Sequence, residues 1–248
     1  MNVLVACEES QTVTKEFRRL GHEAYSCDVI ECSGGHPEWH IQGDALNFLN
    51  PEVLFPGEIA GIQFFTMDNE YHCFPGRWDL LIAHPPCTYL SNAGARHIWK
   101  DHTLQPDRVK LGIEARDFFM RFWWADVPRI AIENPVPNSI FCLPKYTQII
   151  QPYEFGHSVT KKTCLWLKGL PPLQPTDIVT PEKGRLIQKR DGTTRYSCWC
   201  MDQGKPFGGE ERARLRAKTF PGIAKAMAEQ WGGDISEINT MQDDTPSP

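Results

Sequence analysis

The feature that most constrains the fold is a short apolar run that stops at two prolines. Leu80–Ala83 is followed by His84, Pro85, Pro86 and Cys87. Four apolar residues in a row are typical of a strand buried on both faces of a parallel sheet. Proline ends such a strand because it cannot donate a hydrogen bond to the ladder. We therefore predict that Cys87 lies just past the carboxyl end of a central strand, where open α/β sheets place their chemistry.

A second stretch has the same pattern. Arg129–Ile132 is a short apolar strand, and Glu133 and Asn134 follow it before Pro135. If the two strands are neighbours, a thiol and a carboxyl group meet at one edge of the sheet. Such a pair is suited to nucleophilic and acid catalysis.

The amino-terminal segment predicts the nucleotide-binding half of a doubly wound fold. A strand is predicted over Val3–Ala6 and a second strand over Glu23–Cys27, ending at Asp28. Between them we predict a helix that is capped by Ser10 or Thr12, runs to about Leu20 and is closed by Gly21. In such folds the acid after the second strand accepts hydrogen bonds from ribose hydroxyls. The turn over residues 7–11 has no glycine and carries two glutamates, so it disfavours a pyrophosphate and is compatible with a cationic or neutral adenosyl ligand.

The rest of the chain is divided by composition and periodicity. We predict a third strand over Trp39–Ala45 that ends at Asp44, and then an insertion or partly ordered flap over 50–77. An active-site loop is predicted over 88–102 and a helix over Asp107–Trp124. A late strand over Thr163–Leu167 and one or two helices over 210–231, broken at Pro221, complete the prediction. The predicted organisation is a catalytic domain over 1–170, a small basic recognition segment over 171–209, helices over 210–233 that complete the catalytic domain, and a disordered tail over 234–248.

Composition narrows the class of protein. The 248 residues fit one large α/β domain, no apolar run is long enough to span a membrane, and no signal peptide is expected before the first strand. The nine cysteines are not spaced as a disulfide framework, which predicts reduced thiols in a cytoplasmic protein. The Cys198-Trp-Cys200 spacing is not that of a zinc knuckle, so no metal site is predicted.

Charge is unevenly distributed along the chain. The net charge is -5, yet residues 181–218 carry ten Lys and Arg against five acids. A local basic patch on an acidic body can contact phosphates without strong nonspecific binding. Tyr196 and Trp199 in this patch are candidate stacking groups for bases, although a solvated charged surface would have the same composition.

The two proline motifs resemble those of the cytosine-C5 methyltransferases, in particular their short phage and prophage members. Pro-Pro-Cys at 85–87 and Glu-Asn-Pro at 133–135 occur in order, each after a strand and about fifty residues apart. The resemblance extends over most of residues 1–231. It departs from the family in two places: Ala6–Ser10 replaces the usual Phe-x-Gly-x-Gly turn, and the nearest candidate for Gln-x-Arg-x-Arg is Ser158–Thr163.

The resemblance implies a Rossmann-like class I methyltransferase sheet, S-adenosylmethionine as the methyl donor and no metal. The catalytic residues that it implies are Cys87, Glu133 and Asn134. The implied cofactor-binding residues, with Asp28 at the ribose and Asp44 at the adenine amino group, are Ala6, Cys7, Glu8, Ser10, Asp28, Val29, Asp44, Ala45, His84 and Pro85. The implied substrate-binding residues are Pro86, Ser91, Lys161, Lys162 and Thr163.

The chemistry explains why these residue types are needed. C5 of cytosine is a poor nucleophile until a thiolate adds at C6, and cysteine is both strongly nucleophilic and a good leaving group. Glu133 is expected to hold N3 and the exocyclic amine, with a pKa raised by burial so that it shares a proton with N3. Asn134 is expected to support the cysteine loop through backbone hydrogen bonds.

Four functions are compatible with this pattern to different degrees. The first is cytosine-C5 methylation of DNA, and the second is the same reaction on a free cytidine nucleotide, which the short segment 171–209 and the net charge favour. An amino-methyltransferase is disfavoured because His84 and Cys87 stand where Asp, Asn or Ser and an aromatic residue are needed. A non-catalytic nucleic-acid binder derived from the fold would not need the Cys87 thiol.

Overall fold

The computed structural model describes residues 1–52, 60–189, 191–197, 209 and 216–233. The helices in these ranges are α1 (Thr12–Arg19), α2 (Pro106–Trp123) and α3 (Pro221–Met227), and a π-helical turn over Ala228–Gly232 continues α3. The strands are β1 (Asn2–Ala6), β2 (Glu23–Asp28), β3 (His40–Gln42), β4 (Gly61–Phe65), β5 (Tyr71–Pro75), β6 (Leu80–Ala83), β7 (Trp99–Lys100), β8 (Thr103–Leu104), β9 (Ile130–Pro135), β10 (Gln148–Ile150), β11 (Thr163–Lys168), β12 (Leu186–Gln188) and β13 (Thr194–Tyr196).

Seven strands form one mostly parallel sheet. Their order is β10-β11-β9-β6-β1-β2-β3, and β11 runs antiparallel to both of its neighbours. The strand order reverses direction on either side of β1, which is the arrangement of a doubly wound sheet. The predicted fold class, α/β with a doubly wound Rossmann-like sheet, is confirmed, and β1 pairs with β6 at its centre.

Apolar residues alternate along the central strands and bury both faces of the sheet. On one face Leu4 and Leu81 pack beneath α2, and on the other Val3 and Val5 pack beneath α1 and α3. Residues 80–83 are fully buried, as the continuous apolar run predicted. The three layers hold the strand ends rigidly at one edge of the sheet.

Two strand boundaries differ from the prediction. β9 continues through Pro135, so Glu133 and Asn134 lie within the strand, because β11 pairs with it as far as Thr163–Pro135. β3 covers only His40–Gln42, and Asp44 instead accepts a hydrogen bond from the Leu46 backbone at the start of a short 3-10 helix. The edge strand β10 was not predicted, since three residues are too few to show a period.

The first helix ends as predicted but begins differently. It stops at Arg19, and Gly21 follows with a φ of 81°, a conformation that glycine adopts without strain. Neither Ser10 nor Thr12 caps its amino terminus; their hydroxyls lie 3.0 Å from each other instead. The carboxylate that takes over this role is described with the site.

The described part of the 50–77 insertion is a β-hairpin that packs on the sheet. β4 and β5 pair with each other, and Ile62 and Phe64 are buried against the core beside Trp78. The hairpin is therefore an ordered cover for the core, and residues 53–59 lie outside the described ranges.

The carboxyl-terminal predictions are covered only in part. In segment 171–209 the structure describes the β12–β13 hairpin, with Tyr196 half exposed, whereas Trp199, Cys198 and Cys200 lie outside the described residues. The predicted helix after Pro221 is α3; residues 210–215 and the predicted tail over 234–248 also lie outside those residues. In the part of the chain that is described, no helix is both long and apolar enough to cross a membrane.

Candidate active site

Strand register brings the two proline motifs together. Ala6 pairs with Ala83, and Ala83 pairs with Ile132, so the next residue on each of three adjacent strands is Cys7, His84 or Glu133. The antiparallel strand β11 begins at this same edge, which places Lys161 there as well. Four segments that are distant in sequence therefore meet at the carboxyl ends of β1, β6 and β9.

The cysteine loop is tied to β9 by hydrogen bonds. Asn134 Nδ2 donates to the Pro85 carbonyl at 2.8 Å, and this amide side chain is buried. The backbone N–H of Ser91 donates to the Cys87 carbonyl at 3.0 Å, which closes the loop into a turn. The backbone hydrogen bond that we expected from Asn134 is thus present, and it fixes the start of the loop that carries Cys87.

An arginine braces the same loop from α2. Arg108 Nη2 donates to the Thr88 carbonyl at 2.6 Å, and its guanidinium lies 4.2 Å from the centre of the Tyr89 ring. The two contacts clamp the residues directly after Cys87 against the first turn of α2. Arg108 was not singled out from the sequence, because a basic residue on an amphipathic helix carries no sign of such a contact.

A cavity of about 880 Å³ opens at this edge of the sheet. Its volume lies within the usual range for small-molecule sites. Its lining residues come from every segment described above: Cys7, Glu8, Glu9, Ser10, Asp28, Ile30, His84, Pro85, Pro86, Cys87, Thr88, Ser91, Gly94, His97, Arg108, Glu133, Asn134, Pro135, Lys161, Arg216, Ala217, Lys218 and Thr219. We call Glu8, Glu9 and Asp28 the acidic half of the cavity, and Cys87, Glu133, Lys161 and Arg216 the reactive half.

Glu8 occupies the amino terminus of α1. Its Oε1 accepts from the Val13 backbone N–H at 2.6 Å, and its Oε2 accepts from the Thr14 N–H at 3.2 Å and from the Thr14 hydroxyl at 2.7 Å. The carboxylate is only 4% exposed. The N–H groups with which a helix terminus would hold a phosphate are thus used by the protein itself, which agrees with the prediction that the turn does not hold a pyrophosphate.

The turn replaces glycines with two residues in the left-handed conformation. Cys7 has a φ of 58° and Gln11 a φ of 56°, which is uncommon for residues other than glycine and costs of order 1 kcal/mol or more each. Gln11 is held there by two hydrogen bonds between its amide group and the His36 backbone, at 2.7 and 3.0 Å. The turn presents residues 7–9 to the cavity.

The carboxylates of Asp28 and Glu9, the other two members of the acidic half, make fewer hydrogen bonds than that of Glu8. Asp28 accepts a long hydrogen bond of 3.3 Å from the Ile30 N–H, and burial raises the pKa of this carboxyl group against the opposing effect of the backbone N–H groups. Glu9 Oε2 is buried and has no hydrogen-bond partner among the described residues. A buried carboxylate oxygen of this kind calls for a ligand or a cation.

Glu133 and His84 form a buried pair. The Nδ1 of His84 lies 2.9 Å from Glu133 Oε2, and the two side chains are 10% and 11% exposed. Burial acts to raise the pKa of Glu133, but the hydrogen bond and charge of His84, with Lys161 and Thr219, outweigh it and hold that pKa at about 2. Burial acts to lower the pKa of His84, and Glu133 reverses this so that the pKa is raised. The expectation of a raised pKa for Glu133 is therefore wrong, because the sequence did not reveal its partner.

The Cys87 thiol lies between opposing influences. Burial raises the pKa of Cys87, while the positive charges of Lys161 and Arg216 act to lower it. Lys161 Nζ donates to the Arg216 carbonyl at 3.1 Å, which fixes the carboxyl-terminal segment beside the thiol. The protein thus keeps a largely protonated thiol next to cations that favour its thiolate.

The structure brings twelve of the predicted site residues to the cavity and leaves six outside it. Those outside are Ala6, Val29, Asp44, Ala45, Lys162 and Thr163. Ala6, Ala45 and Thr163 are buried in the core, and the Val29 side chain is 68% exposed. Lys162 is exposed, and the Asp44 carboxylate is used as a helix cap. A site assignment made along a motif cannot separate neighbours whose side chains alternate between the two sides of a strand.

Sequence reasoning missed the groups that the carboxyl-terminal segment supplies. Arg216, Lys218 and Thr219 line the cavity, and Thr219 Oγ1 donates to Glu133 Oε2 at 3.4 Å. The basic bias of residues 181–218 was the only available signal, and it did not indicate which residue reaches the site. Within the described ranges, no group of three or more His, Cys, Asp or Glu residues is arranged to hold a metal ion.

Comparison with known proteins adds a structural likeness. No family model matches the chain, and neither does any curated protein. Among solved structures, the chain is similar to a proposed DNA modification methyltransferase encoded within an E. coli prophage, with a TM-score of 0.39 and 12% sequence identity. The match covers 73% of this chain and 52% of that one, so the chain spans about half the length of that protein.

Proposed function

We propose that the chain is an S-adenosylmethionine-dependent methyltransferase that modifies C5 of cytosine in DNA through a covalent adduct between Cys87 and C6. The observation that supports this most directly is the convergence of Cys87 and Glu133 on one cavity from two adjacent strands. A nucleophile and a group that can hold the opposite edge of a pyrimidine ring are the two parts that the reaction requires.

The acidic half of the cavity fits a cationic adenosyl donor. Glu9 Oε2 is buried without a partner among the described residues, and Asp28 lies at the end of β2 in the position of a ribose-binding acid. The Glu8 carboxylate accepts from N–H groups at the amino terminus of α1, so these groups are not available to a phosphate. When bound, the donor supplies a methyl group on a sulfonium centre, and we assign Cys7, Glu9 and Asp28 to holding it.

The reactive half supports the addition step. Cys87 as the thiolate adds to C6, and the positive charges of Lys161 and Arg216 offset the cost of the buried anion. Glu133 holds N3 and the exocyclic amine, with Oε2 fixed by His84 and Thr219. Asn134 keeps the nucleophile loop in place through the Pro85 carbonyl, so the ring can be gripped without moving the backbone.

The proposed substrate is cytosine in DNA, extruded from the stack so that C6 reaches the cavity. Arg108, Lys161, Arg216 and Lys218 line the same cavity and offer phosphate contacts. A free cytidine nucleotide would use the same groups, and the brevity of segment 171–209 favours it. The proposal therefore commits to the reaction at C5, and the experiment separates the two substrates.

The test is covalent trapping with 5-fluorocytosine, whose fluorine blocks the elimination that releases the enzyme. The protein is incubated with methyl donor and either a fluorinated duplex, a fluorinated single strand or the fluorinated mononucleotide, and the modified peptide is identified by mass spectrometry. We expect an adduct on Cys87 with an oligonucleotide. Adduct formation with the mononucleotide alone would transfer the proposal to free nucleotides, and the absence of any adduct on Cys87 would refute the C5 reaction.

A further inference from the structure

The buried partner of Glu133 has one polar atom that the protein leaves unused. His84 follows β6 directly, its Nδ1 is engaged by Glu133 Oε2 at 2.9 Å, and its side chain is 10% exposed. The other ring nitrogen, Nε2, is buried and has no hydrogen-bond partner among the described residues. Native structures rarely leave such an atom unsatisfied without a reason connected to function.

The reaction at C5 needs a proton that Glu133 alone does not hold. Addition of the Cys87 thiolate to C6 breaks the C5=C6 π bond, makes C4–C5 a double bond and moves the C4=N3 electron pair onto N3, which must gain a proton. The pKa of Glu133 lies near 2, so the resting carboxylate is ionised at neutral pH. The contact with Glu133 raises the pKa of His84, which favours a proton on the imidazole that lies 2.9 Å from this carboxylate.

We propose that His84 is the proton reservoir of the site: it holds the proton that Glu133 passes to N3 when Cys87 adds to C6, and it takes that proton back at elimination. The inference depends on the C5 reaction proposed above and deepens it. His84 acts through Glu133, so it is a positioning residue for the reactive carboxyl group. The Nδ1 proton passes to Glu133 and from Glu133 to N3, so the imidazole becomes neutral and Glu133 returns to its carboxylate form. The negative charge of the thiolate is lost as its sulfur becomes a thioether to C6, and no outside reagent is consumed.

The surroundings of the pair set the direction of this transfer. The charges that face His84 are Glu133 on β9, Glu8 after β1 and Lys161 before β11, and Lys161 and Thr219 also face Glu133. Two carboxylates near the imidazole favour its cationic form, and one lysine opposes it. Arg216 and Lys161 face the adjacent Cys87 thiol and favour its thiolate. The cations near the thiol thus offset part of the effect of burial on Cys87, and the carboxylates near the imidazole favour a proton on His84.

If His84 and Glu133 formed a purely structural ion pair, replacing His84 would have a different effect on the reaction. In that case the role of His84 is to hold the Glu133 carboxylate in place, and an uncharged hydrogen-bond donor in the same position would do the same. Asparagine provides such a donor, because its Nδ2 matches the position of histidine Nδ1, but it has no proton to give. His84→Asn therefore separates holding the carboxylate from supplying its proton.

The experiment measures the rate of Cys87 adduct formation with a 5-fluorocytosine oligonucleotide between pH 5.5 and 9.5. For the wild type we expect a rate maximum, because the step needs both a thiolate and one proton on the His84–Glu133 pair. For His84→Asn we expect a 10- to 100-fold lower rate near pH 7.5 and an optimum at least one unit more acidic, since Glu133 must then carry the proton itself. His102→Asn, at an exposed position outside the cavity, is the matched control and should retain the wild-type profile.

The outcomes distinguish the two proposals. If the wild type forms the adduct and His84→Asn lowers the rate by one factor at every pH, His84 only holds the carboxylate and the reservoir is refuted while the C5 reaction stands. If the wild type forms no adduct, both proposals fail together. Thermal unfolding of each protein, together with a second variant, His84→Gln, shows whether a lower rate comes from loss of the fold. If either folded variant retains the wild-type rate and pH profile, the reservoir is also refuted.

Discussion

The two halves of the cavity are built in different ways. The acidic half comes from the ends of the adjacent strands β1 and β2, and two of its carboxylates accept hydrogen bonds from backbone no more than six residues away. The reactive half and the residues that support it come from 84–87, 133–134, 161 and 216–219, and the hydrogen bonds among them join groups 49 to 86 residues apart. The first half thus depends on the β1–α1–β2 unit and its local hydrogen bonds, whereas the second half requires β6, β9 and β11 to come together.

The largest effect that this comparison predicts is at the nucleophile. Cys87→Ala should lower methyl transfer by ~10³-fold or more, because it removes the thiol that the proposed C6 adduct requires. Binding of the methyl donor should change little, since the acidic half does not depend on the thiol. Isotope transfer from labelled donor and calorimetric binding of the donor measure the two properties.

A matched control for the thiol is available in the same chain. Cys142→Ala removes an exposed free thiol that does not line the cavity. This variant should retain wild-type turnover. Substantial transfer by Cys87→Ala would contradict the covalent route, even if Cys142→Ala behaved as expected.

The second effect concerns the pair at the centre of the reactive half. Removing one partner of a buried ion pair typically costs 3–5 kcal/mol, so Glu133→Gln should lower the melting temperature by roughly 6–20 °C near pH 6. Because the pKa of Glu133 is depressed, its contribution to stability is present above its ordinary value of 4.5 and is lost as the pH falls toward 2. Because the pKa of His84 is raised, its contribution is complete below its ordinary value of 6.5 and is lost as the pH rises through the raised pKa.

The stability difference between wild type and Glu133→Gln should therefore be largest between these two ordinary values and shrink on the alkaline side. Melting temperatures of both proteins from pH 4.5 to 9 test this. If the difference in melting temperature stays constant over the whole pH range, the charged forms of His84 and Glu133 do not stabilise each other in the folded protein.

The halves also differ in how far the sequence could predict them. The apolar run at 80–83 and the prolines after it located Cys87 correctly, because burial and chain breaking are local properties. The convergence of Glu133 followed from the expectation that the two strands are neighbours. The His84–Glu133 contact did not follow, and neither did the arrival of Arg216 and Thr219, since strand register and the path of a late segment depend on packing over the whole domain.

Local reasoning also failed inside the acidic half. Both glutamates of the turn were expected to repel a phosphate, and only Glu8 was predicted to bind the cofactor. In the structure Glu8 caps α1, and it is Glu9 that has an unpartnered oxygen in the cavity. Which of two neighbouring side chains turns toward a helix terminus is set by the left-handed backbone at Cys7 and Gln11. The residue types do not predict the left-handed conformation at these two positions.

The third effect separates these two glutamates. Glu8→Ala should destabilise the protein by about 1–2 kcal/mol, since it removes the acceptor for two buried N–H groups of α1. Glu9→Ala should leave the melting temperature nearly unchanged and weaken binding of the methyl donor by about 10-fold or more, the value of a hydrogen bond to a charged group. Thermal unfolding and calorimetry on both variants measure these effects, and the reverse pattern would exchange the two roles.

The smallest effect distinguishes two neighbouring lysines at the edge of the reactive half. Lys161 is half-buried, lines the cavity and faces both Cys87 and Glu133, whereas Lys162 is exposed and outside the cavity. Lys161→Met should raise the pKa of Cys87 further and slow adduct formation by about 3- to 10-fold at pH 7.5, since it removes one of two cations near the thiolate. Lys162→Met should change the rate less than 2-fold, because an exposed charge away from the site is screened by solvent. The pH dependence of Cys87 alkylation by iodoacetamide reads the thiol directly, and equal effects of the two substitutions would mean that the electrostatic field at Cys87 comes from the general charge of the surface rather than from the geometry of the reactive half.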